Sequence, residues 1–265
     1  VSAAARPVAL ITGASGGIGL ELARLAAKDG HDLILVARSE TKLAEIAKYL
    51  TGMYQVRVER IVADLADPDA PAAIVERAQG LGMDVEVLIN NAGFGDWGLF
   101  GRADLARQLE MIQVNVTALT QLTRLFLPGM IHRRRGRILN LGSTAGFAPG
   151  PLMSVYYATK AYVISFSEAI GHELRGTGVT VTVLCPGPVR TGFAERAGTG
   201  GSNLFSDPNV MEPGPVAEAG YRGMRRGRAI VIPGVANKLL IQSLRLSPRW
   251  AVRVITRWFQ EGRAS

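Results

Sequence analysis

The sequence predicts an α/β fold: a single doubly wound domain whose parallel sheet of seven strands carries helices on both faces. Three observations predict it. Short apolar runs at 8–12, 33–37, 58–63, 86–90, 136–141, 179–184 and 228–232 alternate with helical patterns. Repeated strand-then-helix order implies a parallel sheet covered on both sides. A glycine-rich turn joins the first run to the first helical pattern. The chain has 265 residues, 48% of them hydrophobic, which suits one domain with a sizeable core and at most a small appendage.

Val8 to Thr12 read as a buried strand, and Ile18, Leu22, Leu25 and Ala26 recur at helical spacing. Between them lie Gly13, Gly16, Gly17 and Gly19. A loop that turns tightly and brings backbone N–H groups close to phosphate needs residues without Cβ. The helix that follows adds partial positive charge at its N-terminus. The spacing is G-x-x-x-G-x-G rather than G-x-G-x-x-G. Strand before and helix after support a dinucleotide site over a structural turn.

His31 to Arg38 read as the second strand, whose end faces the adenosine ribose in such a site. An acid there holds the 2′-hydroxyl of NAD. This chain has Ala37, Arg38 and Ser39 instead. Arg38 can form charge-assisted hydrogen bonds with a 2′-phosphate, and no carboxylate directly precedes it. The expected cofactor is NADP (NADPH), with Ser15 assisting at the phosphate.

Val85 to Ile89 form a strand that ends in Asn90-Asn-Ala-Gly93. Asn115 falls in the middle of a long helical pattern, where asparagine is a poor choice without a hydrogen-bonding reason. Arg137 to Ser143 read as a strand reaching the carboxyl edge of the sheet, where ligands bind in open α/β folds. Tyr156 and Lys160 stand four apart on a helical run, so both side chains lie on one face. A tyrosine hydroxyl titrates near pH 10 when unperturbed. An adjacent cation that favours its phenolate would fit it for proton transfer, and Lys160 is the cation at hand. Tyr157 lies about 100° further round the helix. Ser143 can orient a substrate oxygen.

These stretches together resemble the short-chain dehydrogenase/reductase superfamily, in its classical group. The matching residues are Thr12–Gly19, Asp64-Leu65, Asn90–Gly93, Asn115, Ser143, Tyr156–Lys160 and Pro186–Thr191. They span most of the chain from residue 8 to about 195. The resemblance implies a Rossmann-type fold and a tetrad of Asn115, Ser143, Tyr156 and Lys160. It makes Tyr156 the acid/base and gives Lys160 a second role on the nicotinamide ribose. It has Asn115 hold a water in the proton relay. It places Gly13, Ser15, Gly17, Ile18 and Gly19 at the phosphates, and Asp64 and Leu65 at the adenine. Asn91, Ala92, Gly93, Pro186 and Val189 line the cofactor, and Thr191 approaches its carboxamide. Arg38 matches the NADP-preferring pattern. No metal site is expected.

The substrate side is apolar. Phe94, Trp97, Phe147, Leu152, Met153, Phe193 and Phe205 are its candidate walls, and the segment at about 192–215, with three glycines within 198–201, is read as a lid. These residues favour a lipophilic ketone, aldehyde or alcohol over a sugar or an anion. The leading expectation is an NADP(H)-dependent oxidoreductase. A reductase of acyl-carrier-protein thioesters and a non-catalytic NADP-binding regulator are the alternatives. Such chains commonly form dimers and tetramers.

Charge divides the chain in two. From 221 to 265 there are ten Arg or Lys against one acid, Glu261, a net +9; the first 220 residues carry twenty basic and twenty-one acidic groups, a net −1. Basicity this local argues against a nucleic-acid partner. The boundaries read as a catalytic domain at 1–234 and a basic amphipathic extension at 235–265. Ser247 and Pro248 read as the cap and first residue of a final helix. Along it Trp250, Val254 and Trp258 recur every four residues, as do Arg249, Arg253 and Arg257. The apolar face is expected to pack on the domain or on a second subunit. The alternative is a peripheral helix lying on an anionic bilayer. Cys185 is the single cysteine, so no intrachain disulfide forms. No apolar run reaches the length of a membrane span. The first strand begins near Val8, which leaves no room for a signal peptide. The expected location is cytoplasmic, with or without membrane contact.

Overall fold

The computed structural model describes residues 6–198 and 210–261, without the side chains of Arg196 and Arg245. Phe205 and most of the glycine stretch assigned to the lid lie outside the described residues. Among these residues the parallel strands are β1 (Val8–Thr12), β2 (Asp32–Ala37), β3 (Val58–Val62), β4 (Val85–Asn90), β5 (Gly136–Leu141), β6 (Val179–Leu184) and β7 (Ile230–Val231). They form one sheet in the order β3-β2-β1-β4-β5-β6-β7. The order reverses between β1 and β4, and that switch point opens a crevice at the carboxyl ends of the strands.

Each strand stands within a residue or two of its expected position, except β7. Five residues were expected there and two pair with β6. Pro233 lacks an N–H and Gly234 turns the chain with φ 84°, so the ladder stops.

Burial follows the strand period. Along β1, Ala9 and Ile11 enter one core cluster, while Val8 and Leu10 enter the other. Successive side chains point to opposite faces, so both faces are covered. On the first face α1 (Gly17–Lys28) contributes Leu22, Ala23 and Ala26. After β2 comes α2 (Glu40–Tyr54), capped by Ser39 Oγ accepting from Lys42 N at 3.4 Å. The opposite face receives α3 (Ala70–Gly80) through Ile74 and Val75. α4 (Leu105–Ile112) runs through a π-helical turn at Gln113–Ala118 into α5 (Leu119–His132), which adds Leu122 and Met130.

α6 (Ser154–Glu173) follows β5, and the short α7 (Phe193–Arg196) follows β6. α8 (Pro213–Arg225) packs Val216, Ala217 and Met224 into the cluster that contains Leu22. The chain ends in α9 (Val235–Leu246) and α10 (Arg249–Gln260).

The last helix departs from expectation at its start, and its tryptophans do not meet the domain. Ser247 does not cap it: the hydroxyl turns back and donates to Ser243 O at 2.8 Å. Pro248 stands before the helix in extended conformation rather than inside its first turn. The face packed on the protein is Val252, Thr256 and Gln260, spaced by four. Trp250, Val254 and Trp258 are exposed, so this part of the apolar face does not pack on the domain.

Candidate active site

The crevice widens into a cavity of about 920 Å³ that runs from the glycine loop to the last two helices. At one end β1 turns into α1. Gly13 has φ 66°, and a Cβ there would lie 2.7 Å from Asn91 Nδ2 and 3.0 Å from Ala92 Cα. The left-handed backbone and the close approach both require glycine. Thr12 staples this loop to the end of β4. Its Oγ1 accepts from Asn91 N and from Ala92 N, each at 3.0 Å. Asn91 Nδ2 returns the link by donating to Thr12 O at 2.9 Å and Gly13 O at 3.2 Å.

Ser15, Gly17 and Ile18 join Gly13 in lining the cavity beside the N-terminus of α1. Gly19 is not in the lining. It allows close packing behind it, since a Cβ there would meet Gly13 O at 2.3 Å. Asn91, Ala92 and Gly93 line the cavity, as do Pro186, Val189 and Thr191.

At the ends of β2 and β3, Arg38, Asp64 and Leu65 meet the same cavity. Arg38 Nη1 lies 3.6 Å from Asp64 Oδ2. No acid precedes Arg38 in sequence, but pairing of β2 with β3 brings one beside it. Lys42 also lines the cavity. It is a second cation that sequence reasoning missed, although it stands one helical turn beyond Arg38.

At the other end Ser143, Tyr156 and Lys160 line the cavity together. Ser143 Oγ accepts from Ala145 N at 3.1 Å, which fixes the hydroxyl at the start of a short turn. Burial pushes the Tyr156 phenol above its ordinary value; the Ser143 hydroxyl beside it acts in the opposite direction and is outweighed. Lys160 Nζ donates to Leu141 O at 2.8 Å and lies 5.7 Å from the Tyr156 ring centre. Burial draws its ammonium down to about 8. The arrangement therefore holds the phenol above its ordinary value, where an adjacent cation was expected to favour the phenolate. Cys185 is wholly buried, and its thiol is pushed up to about 12 by that burial, so it packs rather than reacts.

Asn115 lies behind the cavity wall. Its Oδ1 accepts from Phe94 N at 3.1 Å, and its Nδ2 donates to Phe94 O at 2.9 Å and to Thr159 Oγ1 at 3.1 Å. It ties the strand-end loop to α6 from within the π-helical turn, a local irregularity often found at functional sites.

Three of the candidate substrate walls, Phe94, Met153 and Phe193, line the cavity. The Phe193 ring sits 5.3 Å from that of Tyr156. Phe147 packs into a separate cluster with Val163 and Ile164. Leu152 holds φ 67° and accepts through its carbonyl from Gly98 N at 2.8 Å. Trp97 is partly exposed and donates through Nε1 to Gln260 O at 2.9 Å.

The far wall was not anticipated. It is built by Leu240 and Leu244 of α9 and by Ile255, Thr256, Phe259 and Gln260 of α10. Gln260 is wholly buried and donates through Nε2 to Tyr157 Oη at 2.6 Å. Tyr157 also lines the cavity, although it lies off the Tyr156–Lys160 face. The available signal was Thr256 and Gln260, two polar residues one turn apart on a helix whose other faces are apolar and cationic.

Residues 7–200 match the family model described as short chain dehydrogenase. The chain is 34% identical over 257 residues to the ketoacyl reductase HetN of Nostoc sp., covering 94% of this chain and 88% of that one. A short-chain dehydrogenase from Sphingobium yanoikuyae, solved in complex with NADPH, is 36% identical with a TM-score of 0.80, over 92% of this chain and 97% of that one. The bulky-bulky ketone specific alcohol dehydrogenase of Comamonas testosteroni is 31% identical with a TM-score of 0.76, over 92% and 96%.

Proposed function

The chain belongs to the short chain dehydrogenase family, and we propose that it is an NADP(H)-dependent reductase of a lipophilic carbonyl compound with Tyr156 as the acid/base. Its class is that of oxidoreductases acting on CH–OH or C=O groups. The observation that carries the finer reading is convergence. Ser143, Tyr156 and Lys160 share one cavity with a glycine cradle and with Arg38.

The residues fit a phosphorylated dinucleotide. Gly16 lines the cavity with open space where a Cβ would stand, and the N-terminus of α1 favours a pyrophosphate. Arg38 and Lys42 suit a 2′-phosphate. The exposed Arg38–Asp64 pair is worth about 0–1 kcal/mol, less than the roughly 1.5–3 kcal/mol of a hydrogen bond to a charged group. Asp64 and Leu65 take the adenine. Asn91, Ala92, Gly93, Pro186, Val189 and Thr191 run beside the nicotinamide half, and Lys160 holds its ribose. When bound, the nicotinamide supplies the hydride.

Tyr156 donates its proton to the substrate oxygen in reduction and recovers it from the alcohol in the reverse direction. Its raised pKa suits the reducing direction. Ser143 orients the same oxygen. Lys160 places positive charge near the phenol as its proton leaves. Asn115 holds the floor of the site in place, and we assign it the relay water.

The apolar walls from Phe94, Met153, Phe193, Ile255 and Phe259 favour a lipophilic ketone or aldehyde. A 3-oxoacyl thioester is the second reading, favoured by the likeness to a ketoacyl reductase. We treat 1–234 as the catalytic domain with a lid at about 192–215, 235–265 as its extension, and the working form as a homodimer or homotetramer. The C-terminal helix makes a peripheral membrane contact in the same reading. NADPH consumption with a panel of bulky ketones and a 3-oxoacyl thioester tests the proposal. Turnover of a bulky ketone, lost in Tyr156→Phe, is expected. Turnover of the thioester alone selects the second reading, and no turnover of either overturns both.

A further inference from the structure

We infer that the outer surface of α9 and α10 is a docking face for an anionic lipid bilayer, set over the mouth of the substrate cavity. The inference rests on the lipophilic substrate reading and deepens it by naming where such a substrate enters.

An amphipathic helix ordinarily lays its apolar stripe on the core. In α10 the stripe faces outward. Trp250 is 65% exposed, Val254 63% and Trp258 60%. The inward ridge is held instead by polar contacts, Gln260 on Tyr157 and Trp97 on the Gln260 carbonyl. α9 repeats the arrangement. Asn237, Leu240 and Leu244 face the cavity, while Val235, Leu239 and Leu246 on the opposite face are exposed, Leu246 at 89%. Leu240 and Ile255 are both cavity-lining and about half exposed. They form an apolar rim where the cavity meets the outer surface.

Charge selects the occupant. Arg249, Arg253 and Arg257 are exposed at four-residue spacing beside the tryptophans, and Glu261, the one acid after residue 220, already pairs with Arg257 at 2.7 Å. Two copies meeting through this face would bring like charges together. An anionic surface meets them with opposite charge, and each arginine close to it strengthens binding about fivefold. Indoles and long cationic side chains suit the interface between headgroups and acyl chains. Among the described residues no helix is long and apolar enough to cross a membrane, so in this proposal the two helices lie on the bilayer.

Sedimentation of the full chain with phosphatidylglycerol-rich vesicles and with pure phosphatidylcholine vesicles tests this. The chain is expected to pellet with the anionic vesicles at low salt, to be released at high salt, and to stay in the supernatant with phosphatidylcholine. Trp250→Ser with Val254→Ser changes no cavity-lining residue. It should weaken vesicle binding roughly tenfold or more and leave turnover of a short water-soluble ketone unchanged. That turnover, measured without vesicles, reports on the catalytic reading alone. Arg253→Glu gives a second arm and should weaken anionic binding without altering the fold. A wild-type chain that stays in the supernatant with anionic vesicles at low salt overturns the proposal, as does equal binding to both vesicle types. A fall in oligomer mass in the serine variant, seen by sedimentation velocity, assigns the face to a second copy and overturns it equally.

Discussion

Gln260 donates a 2.6 Å hydrogen bond to the hydroxyl of Tyr157, 103 residues earlier in the chain. The bond is buried and fixes the last helix against the residue next to Tyr156. It makes the C-terminal helix part of the cavity wall.

Replacing Gln260 by Leu leaves the Tyr157 hydroxyl buried without its partner. The expected cost is about 1–3 kcal/mol of stability, read as a lower denaturation midpoint. The ketone KM should rise while NADPH affinity holds, because the change is confined to the substrate wall. Equal loss of both affinities would show that α10 supports the whole cleft rather than this wall.

The two neighbouring tyrosines should separate cleanly. Tyr156→Phe keeps the ring that packs on Phe193 and removes the proton donor, so turnover is expected to vanish while NADPH binding stays. Tyr157→Phe removes a hydroxyl bonded to Gln260 and should cost about 1 kcal/mol of stability with a modest effect on kcat. The reverse pattern in steady-state kinetics would mean that the wrong tyrosine has been assigned.

Arg38→Ala should weaken NADPH by about tenfold or more, the equivalent of one charge-assisted hydrogen bond, and leave NADH nearly unaffected. Asp64→Asn should strengthen NADPH slightly by removing the acid 3.6 Å from Arg38. Binding titrations with both cofactors check this. Equal losses for NADPH and NADH in Arg38→Ala would remove Arg38 from the 2′-phosphate.

Lys160 should set the alkaline limit of cofactor binding. Burial lowers its pKa to about 8, so it loses its charge as pH rises through that value. The Tyr156 phenol, shifted upward, still holds its proton there. NADPH affinity should therefore fall above pH 8, and alcohol oxidation, which needs the phenolate, should keep rising. Lys160→Arg does not titrate in this range and should flatten the affinity limb. A limb that persists in that variant belongs to another group.

Much of the site was legible because its signals are local. The four-residue spacing of Tyr156 and Lys160 puts them on one face of any helix. The glycines after Thr12 announce a turn that no side chain could fill. Asp64 beside Arg38 was not legible, because the two meet through the pairing of β2 with β3. Asn115 was legible as an anomaly in a helix, but its partners Phe94 and Thr159 lie 21 and 44 residues away.

The same division runs through the whole chain. Sequence alone determined the positions of the first six strands, the order of the motifs and the spacing of Ser143, Tyr156 and Lys160, because periodicity and steric demand act over a few residues. Only the tertiary structure decided which face of α10 turns inward. A helical pattern states that two faces differ, but the surface it meets chooses between them. Here that surface offers the Tyr157 hydroxyl and the Trp97 indole N–H. Gln260 satisfies both at once, through its side-chain amide and its carbonyl, so the polar ridge is buried and the tryptophans are left outside.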